Sequence, residues 1–282
     1  VCSGTLFAKE NRMLKTYIYI SLSILLNLSF TSVKASEKNY SNTSINGDTP
    51  IQLIELDRPS WEPFWTVANY DDTIQSLKAG DKILFLDREF TLGKFLGAGQ
   101  STRIFALSKS KAIRLHLYSS VFSRAIVEGY DVFKNTGASK SVVKVFSSES
   151  KPDYNYVIVE RLNALFTLED YLNDSYKIKA PHVDPKQVYI ALEKFARDMA
   201  LYSEIGDYHA YQVVWDGHRF VLLDWSQGVR LAKYVYDLSP FLDDFGFQPN
   251  LNFMLYKRLE AIVTATREAY LKPQSQCINL LK

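Results

Sequence analysis

Two aspartates, Asp207 and Asp224, flank a short segment whose pattern predicts a β-hairpin. The apolar run Val213, Val214 and Trp215 leads to Asp216-Gly217, and a second apolar run covers residues 220–223. An Asp-Gly pair between two apolar runs is a strong short-range signal for a tight hairpin. Such a hairpin returns Asp224 to the end of the sheet from which the Asp207 loop departs. A carboxylate pair placed this way suits phosphoryl transfer. One member orients the attacking hydroxyl and the other holds Mg²⁺ on the nucleotide phosphates.

The stretch over residues 205–225 resembles the catalytic and metal-binding loops of the protein-kinase-like fold, and is closer to its aminoglycoside and choline phosphotransferase branch than to ordinary protein kinases. That branch reads H-G-D-x-H-x-x-N, then a hairpin, then D-W or D-x. Gly206, Asp207, His209, Asp224 and Trp225 keep the pattern, while Ile205 replaces the usual His and Gln212 the usual Asn. The resemblance implies Asp207 as the base that orients the acceptor hydroxyl, and Asp224 as the primary Mg²⁺ ligand. Gln212, five positions after Asp207, offers its carbonyl oxygen to a second metal position from one methylene further out than Asn. His209 is expected to brace the loop, and Trp225 to pack.

The resemblance also names the elements that must position these groups. It implies a two-lobed α+β fold, with a five-stranded antiparallel N-lobe sheet, one helix in that lobe, and a small, mostly helical C-lobe. Apolar runs at 83–86, 90–96, 103–107 and 112–117 read as strands, with Gly97 and Gly99 between the second and third. Glycines there let backbone N–H groups approach phosphates closely. The kinase-type loop is G-x-G-x-x-G, and this one ends in Thr102. Arg114 in Ala112-Ile113-Arg114 stands where the family places a phosphate-gripping Lys. Glu128, on a helix predicted over 123–135, is the candidate partner for that cation. Residues 142–146 and 156–159 read as further strands. Glu160 and Leu162 fall at the hinge, where backbone groups bind adenine.

In the second half, residues 167–173 begin with a Thr N-cap and read as a short helix. Residues 187–204 read as an amphipathic helix with Val188, Leu192, Phe195, Met199 and Tyr202 inward. Tyr236-Asp237-Leu238 resembles the Y-D-L segment of the phosphotransferase branch, where the Asp ties the catalytic loop to the next helix. It follows Asp224 too closely for a long activation segment. A final helix is expected over 252–270, stopped by Pro273.

The 282 residues suffice for two lobes with a real core, and 47% hydrophobic with 23% charged residues is an ordinary globular composition. A formal charge of +2 gives no nucleic-acid footprint. Residues 1–35 carry a basic start, an apolar run and Val33-Lys34-Ala35, which predicts a secretory signal peptide cut after Ala35, with Met13 as the start. Beyond this leader no apolar stretch is long enough to span a bilayer. Residues 36–50 are rich in Ser, Asn, Thr and Lys and read as a tether, and residues up to 80 form an N-terminal extension with Trp61 and Trp65. The N-lobe is then expected over 81–162 and the C-lobe over 163–282. Cys2 and Cys277 give no CxxC or His/Cys cluster, so no zinc site is indicated.

The expectation from these readings is an exported atypical kinase that uses ATP and Mg²⁺ and acts on a hydroxyl, with a protein acceptor suited to the small C-lobe. Arg114, Gln212 and Thr102 leave a pseudokinase binding module as an alternative. The Asp224-Trp225 and Tyr236-Asp237-Leu238 segments leave a small-molecule kinase as another, and transfer of AMP in place of phosphate also stays open.

Overall fold

The computed structural model describes residues 53–55, 67–85, 88–99, 101–117, 120–225, 227–246 and 253–280. The leader at 1–35, the tether at 36–50, and Trp61 and Trp65 lie outside the described residues. Three short strands come first: β1 (Leu53–Glu55), β2 (Lys82–Phe85) and β3 (Arg88–Thr91), with helix α1 (Val67–Ser76) between β1 and β2. β1 pairs with β2 in parallel and β2 with β3 antiparallel, which makes a separate small sheet.

The main sheet is antiparallel, in the order β4 (Phe95–Gly99), β5 (Thr102–Ala106), β6 (Lys111–His116) and β7 (Tyr156–Glu160). Side chains alternate across it. Phe105, Ile113, Leu115 and Ile158 face a core shared with Ile74, Leu77, Ile83 and Phe85 of the first layer. Ala112, Val157 and Val159 face the other core, which continues into the second half of the chain. β6 is therefore buried on both faces, and Arg114 lies on the inner one, in register with Ile104 and opposite Val157.

The main sheet has four strands where five were expected. The 90–96 run is divided between β3 and β4, because the chain crosses between sheets at Gly93. That residue donates to the Ala106 carbonyl, and a Cβ on it would lie 2.8 Å from the same oxygen. Residues 83–85 of the first run belong to the small sheet, and Leu86 lies outside the described residues. Residues 142–146 follow the edge of β7 through Phe146 N–H to Ile158 O and Glu160 N–H to Lys144 O, but form only isolated bridges, Val142 to Leu222 and Val145 to Val159. Val142, Val143 and Val145 are buried, so burial rather than a ladder accounts for the apolar run.

Helix α2 (Ser120–Asn135) covers the inner face of the sheet, with Ile126 and Phe133 buried. After β7 the chain passes to β8 (Phe166–Thr167) and α3 (Leu168–Leu172), whose start is fixed by a capping box between Thr167 and Asp170. A short turn of helix, α4 (Tyr176–Lys179), precedes α5 (Pro185–Met199), which begins at an Asp184 N-cap with Pro185 in its first turn. The expected helix to 204 stops early. Tyr202 lies instead in β9 (Tyr202–Ile205), its ring against Phe133. β10 (Val213–Trp215) and β11 (Phe220–Leu222) form the expected hairpin, with β8 on the outer side of β10. β12 (Val229–Leu231) pairs with β9. Helices α6 (Pro240–Gly246) and α7 (Phe253–Leu280) close the chain, and α7 runs on past Pro273 instead of stopping there. The result is an α+β arrangement, with β4–β7 and α2 on one side and the hairpin and helices on the other. Among the described residues no helix is long and apolar enough to cross a membrane.

Candidate active site

Asp207 sits in the turn that follows β9, with φ at 61°. This left-handed conformation is uncommon for residues other than glycine, and Asp is among the side chains that tolerate it. The preceding Gly206 is required by a close approach. Its N–H donates to the Gly228 carbonyl at 2.8 Å, and a Cβ on it would lie 2.3 Å from the Gln227 side chain. The segment after Asp224 thus fixes the Asp207 turn from behind. Asp207 itself is 40% exposed, beside an exposed His209 whose Nε2 is 3.6 Å from Oδ1. The His209 ring stacks on Tyr211, which is also exposed.

Gln212 ties this turn to the hairpin. Its Nε2 lies 3.4 Å from Asp207 Oδ2, its Oε1 accepts the His209 N–H at 3.2 Å, and its carbonyl accepts the Leu223 N–H at 2.9 Å. Leu223 leads directly to Asp224. The Asp224 carboxylate meets the main sheet, because Arg114 Nη2 donates to its Oδ2 at 2.9 Å while Arg114 Nη1 donates to the Leu223 carbonyl at 2.6 Å. Trp225 then packs under α2, its Nε1 donating to the Ile126 carbonyl at 3.0 Å. One hydrogen-bonded path therefore joins Asp207, Gln212, Leu223, Asp224 and Arg114.

The structure corrects two sequence assignments. Arg114 pairs with Asp224 and not with Glu128, which lies exposed on α2. The helix phase explains this, since Ile126 and Gly129 take the inward positions on either side of Glu128. Asp237 does not tie the catalytic loop to the next helix. Its carboxylate caps its own loop by accepting the Lys233 and Tyr234 N–H groups, which holds it below the usual carboxylate range. The tying is done by Arg267 of α7, a residue the sequence reading missed. It is 2% exposed and donates to the carbonyls of Ala200, Tyr202, Val235, Asp237 and Leu238. Its position in the Leu259, Val263, Arg267 stripe was the available signal, a cation on the buried face of a helix.

Gly97 and Gly99 lie in β4 itself, opposite Ile104 and Thr102, and only Gln100 and Ser101 separate β4 from β5. Among the described residues, a Cβ on Gly97 would meet nothing within 4 Å, and one on Gly99 would only just reach Thr102. Among the described residues no packing contact therefore requires either glycine. Gly97, Ile104 and Arg114 stand in one cross-strand row about 10 Å long. Just after β7, Leu162 and Leu96 line a cavity of about 520 Å³ with Lys94, Lys109, Arg161, Asn163 and Ala164. The Glu160 carboxylate is taken by Arg219 at 3.1 Å, an ion pair across to the hairpin turn that also engages Asp216.

A divalent ion shared by Asp224 and Gln212 would have to compete with bonds that both side chains already make. Asp224 Oδ2 is engaged by Arg114 and Gln212 Oε1 by a backbone N–H. Among the described residues no group of three or more His, Cys, Asp or Glu side chains is placed to hold a metal.

No family model and no curated protein matches the sequence. Among solved structures the chain is similar to the ADP-bound aminoglycoside phosphotransferase APH(2'')-Ib, at 10% identity and TM-score 0.41, over 64% of this chain and 79% of that one. It is also similar to APH(2'')-IIa in its ternary complex with streptomycin and ATP, at 10% identity and TM-score 0.40, over 60% of this chain and 78% of that one. Likeness at this level assigns no activity to the chain.

Proposed function

We propose that this protein binds ATP between the β4–β5 glycine hairpin and the hinge, and transfers the terminal phosphoryl group to a hydroxyl. The observation that carries the reading is the continuous path from Asp207 through Gln212 to Asp224 and Arg114, beneath two glycines that packing does not require. The adenine lies between Leu96 and Leu162, and the phosphates follow β4 toward Arg114. The acceptor hydroxyl gives its proton to Asp207 as its oxygen bonds to the γ-phosphorus and the bond to ADP breaks. Backbone N–H groups of the hairpin and the Arg114 guanidinium balance the phosphate charge. The acceptor is a protein hydroxyl. Asp207 opens to solvent beside the exposed rings of His209 and Tyr211, an acceptor face suited to a side chain presented on a larger surface. With the leader read at 1–35, the proposal extends to an exported enzyme that meets ATP in a recipient cell.

The test is transfer of label from γ-labelled ATP to a protein mixture, by wild type and Asp207→Asn. Label that appears with wild type and falls by about 100-fold or more with the variant supports the assignment. Equal labelling removes Asp207 from the reaction, and transfer only to small alcohols moves the acceptor class to small molecules.

A further inference from the structure

The sequence pattern expects a cation at Asp224, and the structure supplies one from within the chain. Arg114 is 3% exposed and is aimed by its β6 register at the end of the hairpin, where it holds both the Leu223 carbonyl and the Asp224 carboxylate. A guanidinium is always charged and presents several donors in a fixed fork. We infer that Arg114 takes the place of the divalent ion, so that this chain binds a nucleoside triphosphate without metal, the guanidinium meeting the phosphates while it stays beside Asp224. The inference rests on the nucleotide site proposed above.

Three observations favour it. First, the alternative partner for Arg114 is absent from its surroundings, since Glu128 points to solvent on α2. The cation is therefore not drawn away from Asp224, as it would be by a helix carboxylate. Second, Gln212 has its oxygen turned to the His209 N–H, so the second metal ligand is spent on bracing the Asp207 turn. Third, Arg114 Nε is buried and has no partner among the described residues, which leaves a donor in reserve on the inner face of the sheet, in the row that leads to Gly97.

Electrostatics separates the two possible visitors. A divalent ion placed on Asp224 meets a buried positive charge 2.9 Å from the same carboxylate, and the repulsion opposes its entry. A triphosphate instead offers Arg114 a second partner of the same sign as Asp224, to which the unused guanidinium donors can turn. Asp224 then acts as a competitor for Arg114 and not as a metal ligand.

This gives a test in which a metal site and an internal cation have opposite signatures. ATP binding by the full-length chain is measured by isothermal calorimetry in excess EDTA and in excess MgCl₂, for wild type, Asp224→Asn and Arg114→Lys, with circular dichroism to confirm that each is folded. Metal-free binding is expected in EDTA, within about threefold of the affinity in MgCl₂. Asp224→Asn is expected to tighten ATP in EDTA, because Arg114 loses its internal partner, and Arg114→Lys to weaken it by about tenfold. Binding seen only with MgCl₂ and lost in Asp224→Asn overturns the inference while the nucleotide site stands. Absence of ATP binding in both conditions overturns the nucleotide site and the inference together.

Discussion

Gly129 and Trp225 are packed so closely that a Cβ on the glycine would lie 2.4 Å from the indole ring. The contact locks α2 to the residue that follows Asp224, and the indole N–H reaches the Ile126 carbonyl one turn earlier. Gly129→Ala must push the ring outward or shift the helix. Overpacking of this kind costs about 1–3 kcal/mol, in excess of any helix-propensity gain from Ala. Urea unfolding checks it, and an unchanged or raised midpoint contradicts the packing described.

Arg267 is the second place where one side chain holds several segments. Its carbonyl partners come from the end of α5, from β9 and from the 235–238 loop. Arg267→Met retains much of the aliphatic bulk but leaves those buried carbonyls without their donors. The expected loss is about 3 kcal/mol or more, at about 1–3 kcal/mol for each group left unsatisfied. Thermal unfolding reads it, and a loss below about 1 kcal/mol indicates that water replaces the guanidinium.

The hairpin between Asp207 and Asp224 was legible because its signals are local: two apolar runs with Asp-Gly between them. The α3 and α5 starts were legible for the same reason, from the Thr167 cap and the apolar spacing of α5. Partner choice was not. Glu128 and Asp224 are both distant carboxylates from Arg114 in sequence, and only the phase of α2 against the sheet decides between them. Tyr202 fits the helical spacing set by Met199, but the chain leaves the helix at Ala200, and Arg267 holds the carbonyls on either side of that break. Residues 142–146 carry the apolar content of a strand, yet pair with Leu222 and Val159 only through single backbone bridges. Apolar content reports burial first and the ladder only second.

His116 gives a pH dependence with a defined sign. It is fully buried, and neither ring nitrogen has a partner among the described residues. Burial first, and the nearby Arg114 second, push its pKa well below the ordinary value of 6.5. The unfolded chain therefore takes up a proton near that value while the folded chain does not. Stability falls as pH drops below about 6.5, by up to about 1.4 kcal/mol per pH unit from this group. His116→Leu removes that proton from the balance, so urea midpoints followed from pH 7 downward are expected to decline less steeply in the variant. Parallel curves contradict a neutral, buried imidazole.

Asp207 offers a separation of stability from chemistry. Asn tolerates the same left-handed backbone, and the side chain is exposed enough that no buried charge is lost. Asp207→Asn is expected to leave the unfolding free energy within about 0.5 kcal/mol of wild type. A larger loss places the carboxylate in a structural role, through Gln212 and His209, in addition to its proposed place at the acceptor.

The central claim is that the open space over β4 belongs to a nucleotide, and Gly97 tests it most directly. A Cβ there meets nothing within 4 Å among the described residues, so Gly97→Val should fold as well as wild type. It would nonetheless stand where the phosphates lie. The measurement is the rise in melting temperature on adding ATP to wild type and to Gly97→Val, since a ligand that binds only the folded state must raise its stability. The account predicts a clear rise for wild type and none for the variant at equal starting stability. The same rise in both, or none in either, contradicts it.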